Sequence, residues 1–351
     1  MSTATRPSIT LPNAARAERA RAVYRACLYY SIALTAVWAF LITTGVGGGK
    51  LFANYKLTLE QIAGTVIFMV IFWVIWSYGW YFFKRWLLRR AGFDREELGA
   101  VFSSRLDGFD LDAVLARHPA RPIRIIDMVA RRGRTLVFIA AGFGYVYVQT
   151  QKTPGPESLA FGLQANVFDS ILMNWLSLLA FRSNGAFGNI MYGAQARVLD
   201  GVQGRANALL IGTLWSAFRF VMIPLGLVLA GMFPPNRYAV LFAFIWITYA
   251  VADYATEVFG SIWGRHNIRV WGIGDLNAKS WEGFAAGFVC ALVAMVAIAW
   301  SQQLPPSWYV LAFVLAVINP IVELASPRGT DDFTMATVNA IVCVAFGWLV
   351  M

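Results

Sequence analysis

Residues 283–301 read GFAAGFVCALVAMVAIAWS, and residues 308–325 read WYVLAFVLAVINPIVELA. The first stretch holds no charged side chain, and the second holds only Glu323, close to its end. About 20 such residues in a helix cross the hydrocarbon core of a bilayer. The two stretches therefore predict a pair of transmembrane helices.

The composition extends this prediction to the whole chain. Its 351 residues are 58% hydrophobic and 14% charged, whereas soluble domains are about 45–50% apolar and about 25% charged. This balance excludes a disordered chain, a disulfide-stapled secreted module and an ordinary cytosolic enzyme. We predict an all-α, polytopic integral membrane protein with about nine transmembrane helices. Predicted spans lie at 27–46, 62–83, 135–150, 165–181, 208–232, 238–260, 283–301, 308–325 and 334–351.

The basic residues predict the orientation of these helices. If the N-terminus lies inside, 24 of the 29 lysines and arginines fall in inner segments and 4 in outer loops. Cytoplasmic loops carry such an excess, so we predict an N-in, C-out topology. The net charge of +10 then reflects these loops and anionic headgroups rather than nucleic acid. Heavy use of Arg and Ala favours a bacterial inner membrane over the endoplasmic reticulum.

The same reading divides the chain into five segments. They are a basic cytoplasmic N-terminal segment (1–26), a transmembrane hairpin (27–83), a cytoplasmic helical loop (84–134), further transmembrane helices (135–249) and a C-terminal transmembrane region (250–351) that we expect to carry the chemistry. The sequence indicates neither the role of 84–134 nor an oligomeric state.

The first stretch with chemical potential ends the sixth predicted span. On a helix, Asp253, Glu257, Gly260 and Gly264 share one face. Carboxylates at i and i+4 can share Mg²⁺, which prefers oxygen ligands, and glycines let a backbone or a ligand approach closely. The alternative is helix packing by the glycines, with both acids in solvent.

The second stretch, 272–283, is a polar loop that runs into the seventh span. Lys279 offers a compact positive charge for a phosphate oxygen, and Ser280 precedes the helical run as an N-cap. Glu282 and Gly283 follow in the first turn. The alternative is an ordinary capped helix start with a lysine that reaches towards water.

The third stretch, 319–334, joins the last two spans. Glu323 lies near the inner end of one, Arg328 follows in a Ser-Pro-Arg-Gly turn, and Asp331 and Asp332 begin the next. The aspartates suit the electrostatics of a helix N-terminus. The alternative is that the acids and Arg328 face a nucleotide and its metal.

Taken in this order, the three stretches resemble the CTP-dependent lipid kinases: dolichol kinase, phytol kinase and the yeast-type diacylglycerol kinase. That family has an acidic, glycine-bearing helix, then Lys-Ser-x-Glu-Gly, then a Glu followed by an Asp-Asn stretch that ends in Pro. The resemblance covers about residues 250–340. Asp332 stands where the family has Asn, and Ala336 where it has the closing Pro.

This resemblance implies CTP as donor, Mg²⁺ as cofactor and a lipid alcohol of the polyprenol, phytol or diacylglycerol type as acceptor, phosphorylated at the cytoplasmic face. The implied catalytic residues are Asp253, Lys279, Glu323, Asp331 and Asp332. The implied nucleotide-binding residues are Gly260, Gly264, Lys279, Ser280, Glu282, Gly283 and Arg328. The implied metal ligands are Asp253, Glu257 and Asp332.

Two alternatives remain open. The segment Gly260–His266 and Trp281 also resemble the phosphatidate cytidylyltransferases, which make CDP-lipids, but the closing signature of that family is absent. A non-enzymatic lipid transporter would place charged residues along a path across the bilayer, whereas the charge clusters here are predicted at one face.

Overall fold

The computed structural model describes residues 13–44, 59–70, 75–103, 110–133, 136, 170–183, 185–214, 216, 235–270, 278–327 and 330–350. These residues are nearly all helical. Four helical stretches are long and apolar enough to cross a membrane: Ala17–Phe40, Trp281–Ser301, Pro306–Ala325 and Asp331–Val350. The described residues therefore belong to a helical protein with several candidate membrane spans.

The first part of the chain forms short helices after one long one. In chain order they are α1 (Asn13–Thr44), α2 (Leu59–Val70), α3 (Trp76–Arg90), α4 (Arg95–Phe102), α5 (Leu111–Arg117), α6 (120–133), α7 (Ser170–Arg182), α8 (Ala186–Tyr192), a 3₁₀ helix (Val198–Gln203) and α9 (204–214).

The second part is a bundle of four long helices, of which the last three are joined by short connections. They are α10 (Pro235–Ile262), α11 (Trp281–Ser301), α12 (Pro306–Ala325) and α13 (Asp331–Val350). The last three coincide with predicted spans to within a few residues. Long apolar runs with few charges are easy to recognise in a sequence as membrane spans.

The other six predicted spans agree less closely with the helices or lie partly outside the described residues. The span predicted at 27–46 begins earlier, within α1. The one at 62–83 corresponds to α2 and α3, with 71–74 outside the described residues. The one at 165–181 overlaps the shorter apolar helix α7, and the one at 238–260 lies within α10. Most of 135–150 and 208–232 lies outside the described residues. A count of nine spans and the N-in orientation stay predictions.

The prediction of an all-α chain needs one correction. Strands β1 (Asn267–Arg269) and β2 (Ala278–Ser280) pair antiparallel between α10 and α11, with Ile268 opposite Lys279. The segment between the two helices is polar and rich in glycine, so it lacks the apolar face that a packed helix needs. Its backbone groups instead bond across the hairpin, which ends directly at the start of α11.

The core of the bundle is largely apolar and contains a pair of buried amides. Trp308, Phe244 and Met295 are fully buried among the four helices. Asn319 of α12 and Asn339 of α13 are fully buried too, and each donates its amide N–H to the other's carbonyl oxygen, at 2.8 and 3.0 Å. Because both amides are satisfied, the pair costs little and joins the two helices.

The predicted cytoplasmic loop 84–134 forms a small core of its own. Leu88 of α3, Leu98 of α4 and Ile123 of α6 are buried together, and Val198 and Leu199 of the 3₁₀ helix close the cluster. A capping box starts α4, in which Asp94 accepts from the Glu97 backbone and Glu97 accepts from the Asp94 backbone. This local core gives α6 a fixed position.

Helices α10 and α11 approach so closely that their contact accommodates only glycine. A Cβ atom added to Gly283 would lie 2.6 Å from the backbone oxygen of Thr256. One added to Gly264 would lie 2.8 Å from the Ser280 hydroxyl. The glycines therefore bring the start of α11 against the end of α10.

This contact predicts a steric effect. We expect Gly283→Ala to lower the free energy of unfolding of the detergent-solubilised protein by about 1–3 kcal/mol, and with it the melting temperature. The reason is that the backbone oxygen of Thr256 cannot move aside as a flexible side chain can. Gly212→Ala in α9 is the matched control, since nothing lies within 4 Å of its added Cβ. The control should keep or raise the melting temperature. Equal melting temperatures for both variants would contradict the prediction.

Candidate active site

Charged side chains gather where the hairpin joins α11. Ser280 caps α11, and its hydroxyl oxygen accepts from the Gly283 N–H at 3.1 Å, as its position before the helical run predicts. The side chain of its neighbour Lys279 is 11% exposed. The strand and the cap together aim this lysine at the ends of α12 and α13.

Lys279 joins two acids from different helices. Its ammonium group donates to the carboxylate of Glu323 at 2.8 Å, to the backbone oxygen of the same residue at 2.7 Å, and to the carboxylate of Asp331 at 3.2 Å. Burial alone would lower the pKa of Lys279, but the carboxylates of Asp331 and Glu323 outweigh it and raise the pKa. Lys279 therefore stays charged.

Three carboxylates are close enough to share a metal ion. Asp253, Glu323 and Asp331 each offer an oxygen, and these oxygens lie within 4.8 Å of one another. The second oxygen of Glu323, Oε2, is buried without a hydrogen-bond partner. Such an atom is costly unless something binds it. The donor set is all oxygen, which suits Mg²⁺.

Glu257 is engaged elsewhere. Its Oε1 accepts from Arg131 at 2.6 Å and from Arg197 at 3.0 Å, and its Oε2 is bonded by Arg132. Arg132 also bonds both oxygens of Asp253. Although burial opposes it, the nearby carboxylates hold the pKa of Arg132 well above its ordinary value. The structure thus joins Glu257 to arginines, whereas Asp253 lies between an arginine and the other two acids.

Three arginines lie close to one another at the Glu257 end. Burial, and then Arg197, lower the pKa of Arg131, and the attraction of Glu257 does not fully compensate. Three guanidinium groups surround this one carboxylate.

A polar pocket of about 180 Å³ runs past both groups. Six carboxylates and four cations line it: Asp127, Asp200, Asp253, Glu257, Glu323 and Asp331, with Arg124, Arg132, Arg197 and Lys279. Gly260 and Ser280 also line it, so the helix contact forms one wall. An anionic nucleotide would meet more negative than positive side chains here, and a bound divalent cation would redress this balance.

The other predicted residues lie around this pocket or outside the described part. Glu282 bonds His266 through its side chain, at 2.6 Å to Nδ1. Gly264 and Gly283 serve the helix contact. Asp332 begins α13 beside Asp331, but the group of three close carboxylates includes neither it nor Glu257. Arg328 lies outside the described residues.

The site residues that the sequence did not reveal include Arg131, Arg132 and Arg197, and the pocket wall adds Arg124, Asp127 and Asp200. The first two lie in the predicted cytoplasmic loop, and Arg197 precedes the 3₁₀ helix. Two unpaired acids at the end of a predicted span were the signal that could have found them, since buried carboxylates need partners.

A buried ion pair positions Arg197. Lys84, which is fully buried, pairs with Asp127 at 2.7 Å and donates to the backbone oxygen of Ala196. Asp127 accepts from the Val198 N–H at 2.8 Å. Both chain neighbours of Arg197 are therefore held by one lysine–aspartate pair.

The chain is similar to a known protein family. The model of the cytidylyltransferase family matches residues 124–328, which is more than half of the chain. No curated protein and no solved structure matched it. The matched range begins within α6 and includes the three arginines, so it reaches further towards the N-terminus than the sequence resemblance does.

The Lys84–Asp127 pair yields a prediction on stability. Removing one partner of a buried pair leaves an uncompensated charge, so Lys84→Met should lower the free energy of unfolding by about 3–5 kcal/mol. Adding Asp127→Asn to the same chain removes the stranded charge and keeps an acceptor for Val198.

We expect the double variant to regain part of the stability, measured by denaturant unfolding in one detergent. A double variant less stable than Lys84→Met would show that the charge of Asp127 is not the cause.

Proposed function

This chain belongs to the cytidylyltransferase family, and we propose that it is a membrane enzyme that transfers the γ-phosphoryl group of CTP to the hydroxyl of a lipid. The observation that carries the proposal is the Glu323 carboxylate. One of its oxygens bonds Lys279, and the other is buried without a hydrogen-bond partner. An alcohol needs a base to become a good nucleophile, and Oε2 is free to take its proton.

The metal fits beside this base. Mg²⁺ is usually held by one or two carboxylates together with the phosphates of the substrate. We assign these roles to Asp253 and Asp331, whose oxygens lie within 4.8 Å of each other and of Glu323. When bound, the ion neutralises negative charge on the triphosphate. It also offsets the excess of carboxylates in the pocket.

The chain's own residues then orient the reaction. Lys279 bridges Glu323 and Asp331, so its charge lies where a phosphate oxygen would approach the two acids. The lipid oxygen attacks the γ-phosphorus, the bond to the β–γ bridging oxygen breaks, and CDP leaves. The hydroxyl proton passes to Oε2 of Glu323. Positioning and charge neutralisation supply most of the rate in such transfers.

The acceptor would reach this pocket from the bilayer. Trp263 and Trp281 are about half exposed, at 53% and 56%, beside the pocket end of α10 and α11. Tryptophan is enriched at membrane–water interfaces. With an N-in topology of nine spans, this end faces the cytoplasm, where CTP is found. A polyprenol, phytol or diacylglycerol would present its hydroxyl there.

CDP-lipid synthesis is the second candidate. The description of the matched family favours it, and the three guanidinium groups around Glu257 suit an acceptor that carries a phosphate. In that reaction the lipid phosphate attacks the α-phosphorus and pyrophosphate leaves. A phosphate oxygen is already ionised at neutral pH, so this reaction has no need of Glu323 as a base.

Labelled CTP separates the two reactions. Purified protein in lipid extract with Mg²⁺ should move label from the γ-position of CTP into a lipid and release CDP. Label from the α-position should stay in the nucleotide. Label moving from the α-position into lipid, with pyrophosphate released, would replace the kinase proposal by CDP-lipid synthesis. Intact CTP across a broad lipid panel would overturn both.

Single substitutions test the assigned roles. Glu323→Gln should lower kcat about 10²–10⁴-fold at nearly unchanged KM for CTP, because it removes the base and leaves the binding groups. Asp331→Asn should raise the Mg²⁺ concentration that gives half-maximal rate. Glu96→Gln, on the exposed face of α4, is the matched control and should leave both quantities unchanged. A Glu323→Gln enzyme with full kcat would remove the base from the mechanism.

A further inference from the structure

The three arginines around Glu257 form a group with the chemistry of a phosphate site. Arg131 and Arg197 donate to the same oxygen, Oε1, and Arg132 binds Oε2. Guanidinium forks match carboxylate and phosphate oxygens equally well. Arg132 also bonds both oxygens of Asp253, whereas Arg131 and Arg197 share the single oxygen Oε1 of Glu257.

The arginines are held by the protein around them and not only by Glu257. Arg131 and Arg132 lie on α6, one turn after Asp127, which is clamped by the buried Lys84. The same clamp holds both chain neighbours of Arg197. The guanidinium of Arg121, on the first turn of α6, also donates to the Ile262 backbone oxygen at 3.0 Å. The backbones that carry the arginines would therefore keep their places if Glu257 moved away.

Glu257 has other surroundings to move into. It lies on the last turns of α10 and its side chain lines the pocket, as does that of Arg197. The pocket continues from there to Lys279 and the three close carboxylates. A phosphate entering the pocket thus meets Arg132, Arg197 and Glu257 in the pocket wall, and it reaches Arg131 once Glu257 gives up its bond to that arginine.

We propose that Arg131, Arg132 and Arg197 form a phosphate-binding centre in which Glu257 is an internal occupant that a substrate phosphate displaces. The centre takes either a phosphate of the nucleotide's polyphosphate chain or the phosphate of a lipid, since both present the same oxygens. A catalytic role for this centre rests on the proposed function. Its ability to bind phosphate does not, and can be tested with a simple inorganic anion.

The displacement has a cost that the structure makes testable. While Glu257 occupies the arginines, only a fraction of the molecules can bind a phosphate, and the apparent affinity is reduced by that fraction. Glu257→Gln keeps the shape of the side chain and removes its charge. The variant should bind inorganic pyrophosphate about tenfold more tightly than the unaltered protein does.

The first experiment is titration calorimetry of the full chain in detergent with inorganic pyrophosphate. Glu257→Gln should tighten binding, whereas Arg131→Lys and Arg197→Lys should each weaken it about tenfold, because a lysine keeps the charge but loses the fork. Arg95→Lys, an exposed residue of α4, is the matched control and should not change the affinity. Thermal unfolding of each variant checks that it is folded.

Two results would overturn the centre. One is a folded Glu257→Gln protein that binds pyrophosphate no better than the unaltered protein. The other is unchanged affinity in both arginine variants, and this remains a test if Glu257→Gln fails to fold. Pyrophosphate binding that follows the prediction in a protein that never consumes CTP would leave the centre standing and would overturn the proposed function alone.

The source of the phosphate follows from steady-state kinetics of the lysine variants. If the centre binds the nucleotide, Arg197→Lys raises the KM for CTP and leaves that for the lipid unchanged. If it binds a lipid phosphate, the KM for the lipid rises instead. A variant with both KM values unchanged and only kcat reduced would contradict a binding role.

Discussion

The pairing of buried charges at one end of an apolar helix bundle holds the described parts of this structure together. The described part of the chain brings carboxylates from α10, α12 and α13 to one place, where an unpaired charge would be expensive. Cations from outside the bundle meet them: Lys279 from the hairpin, and three arginines from α6 and the turn before the 3₁₀ helix. The helical segment that contains α6 is thus joined to the bundle through charged groups in and beside the pocket.

The pairs form an ordered series rather than a random cluster. Glu257 lies among arginines, Arg132 joins it to Asp253, and Asp253 lies near Glu323 and Asp331. Lys279 closes the far end of the series. Positive and negative groups alternate from the arginines to Asp253, after which three carboxylates lie side by side and a bound divalent cation would supply positive charge between them.

Much of the C-terminal bundle could be predicted from the sequence. Runs without charge mark α11, α12 and α13, and Ser280 before such a run marks a helix start. Four of the six acids of the pocket were also visible, because charges at the ends of apolar runs stand out, whereas Asp127 and Asp200 were not. The pairing of Arg131 with Glu257 was not visible, since 126 positions separate them. Local periodicity carries no information on a contact made through tertiary packing.

The glycines illustrate the same limit. Their shared face predicted a close approach, but spacing alone did not distinguish a ligand from a neighbouring helix. In the structure, atoms of Thr256 and Ser280 occupy the space that Gly283 and Gly264 leave. Likewise, the pattern that suggested paired metal ligands, Asp253 and Glu257, brings the two acids to one face, and an arginine fills the space between them.

The reciprocal amide pair between Asn319 and Asn339 has a mechanical consequence. Asn319 lies one turn before Glu323 on α12, and Asn339 lies two turns after Asp331 on α13. If one helix slipped past the other by a single turn, about 5.4 Å, both hydrogen bonds between the side-chain amides would break in an apolar interior. The pair therefore resists axial sliding, so α12 and α13 would respond to a change in bilayer thickness by tilting together. The distance between the carboxylates of Glu323 and Asp331 would then stay the same in membranes of different thickness.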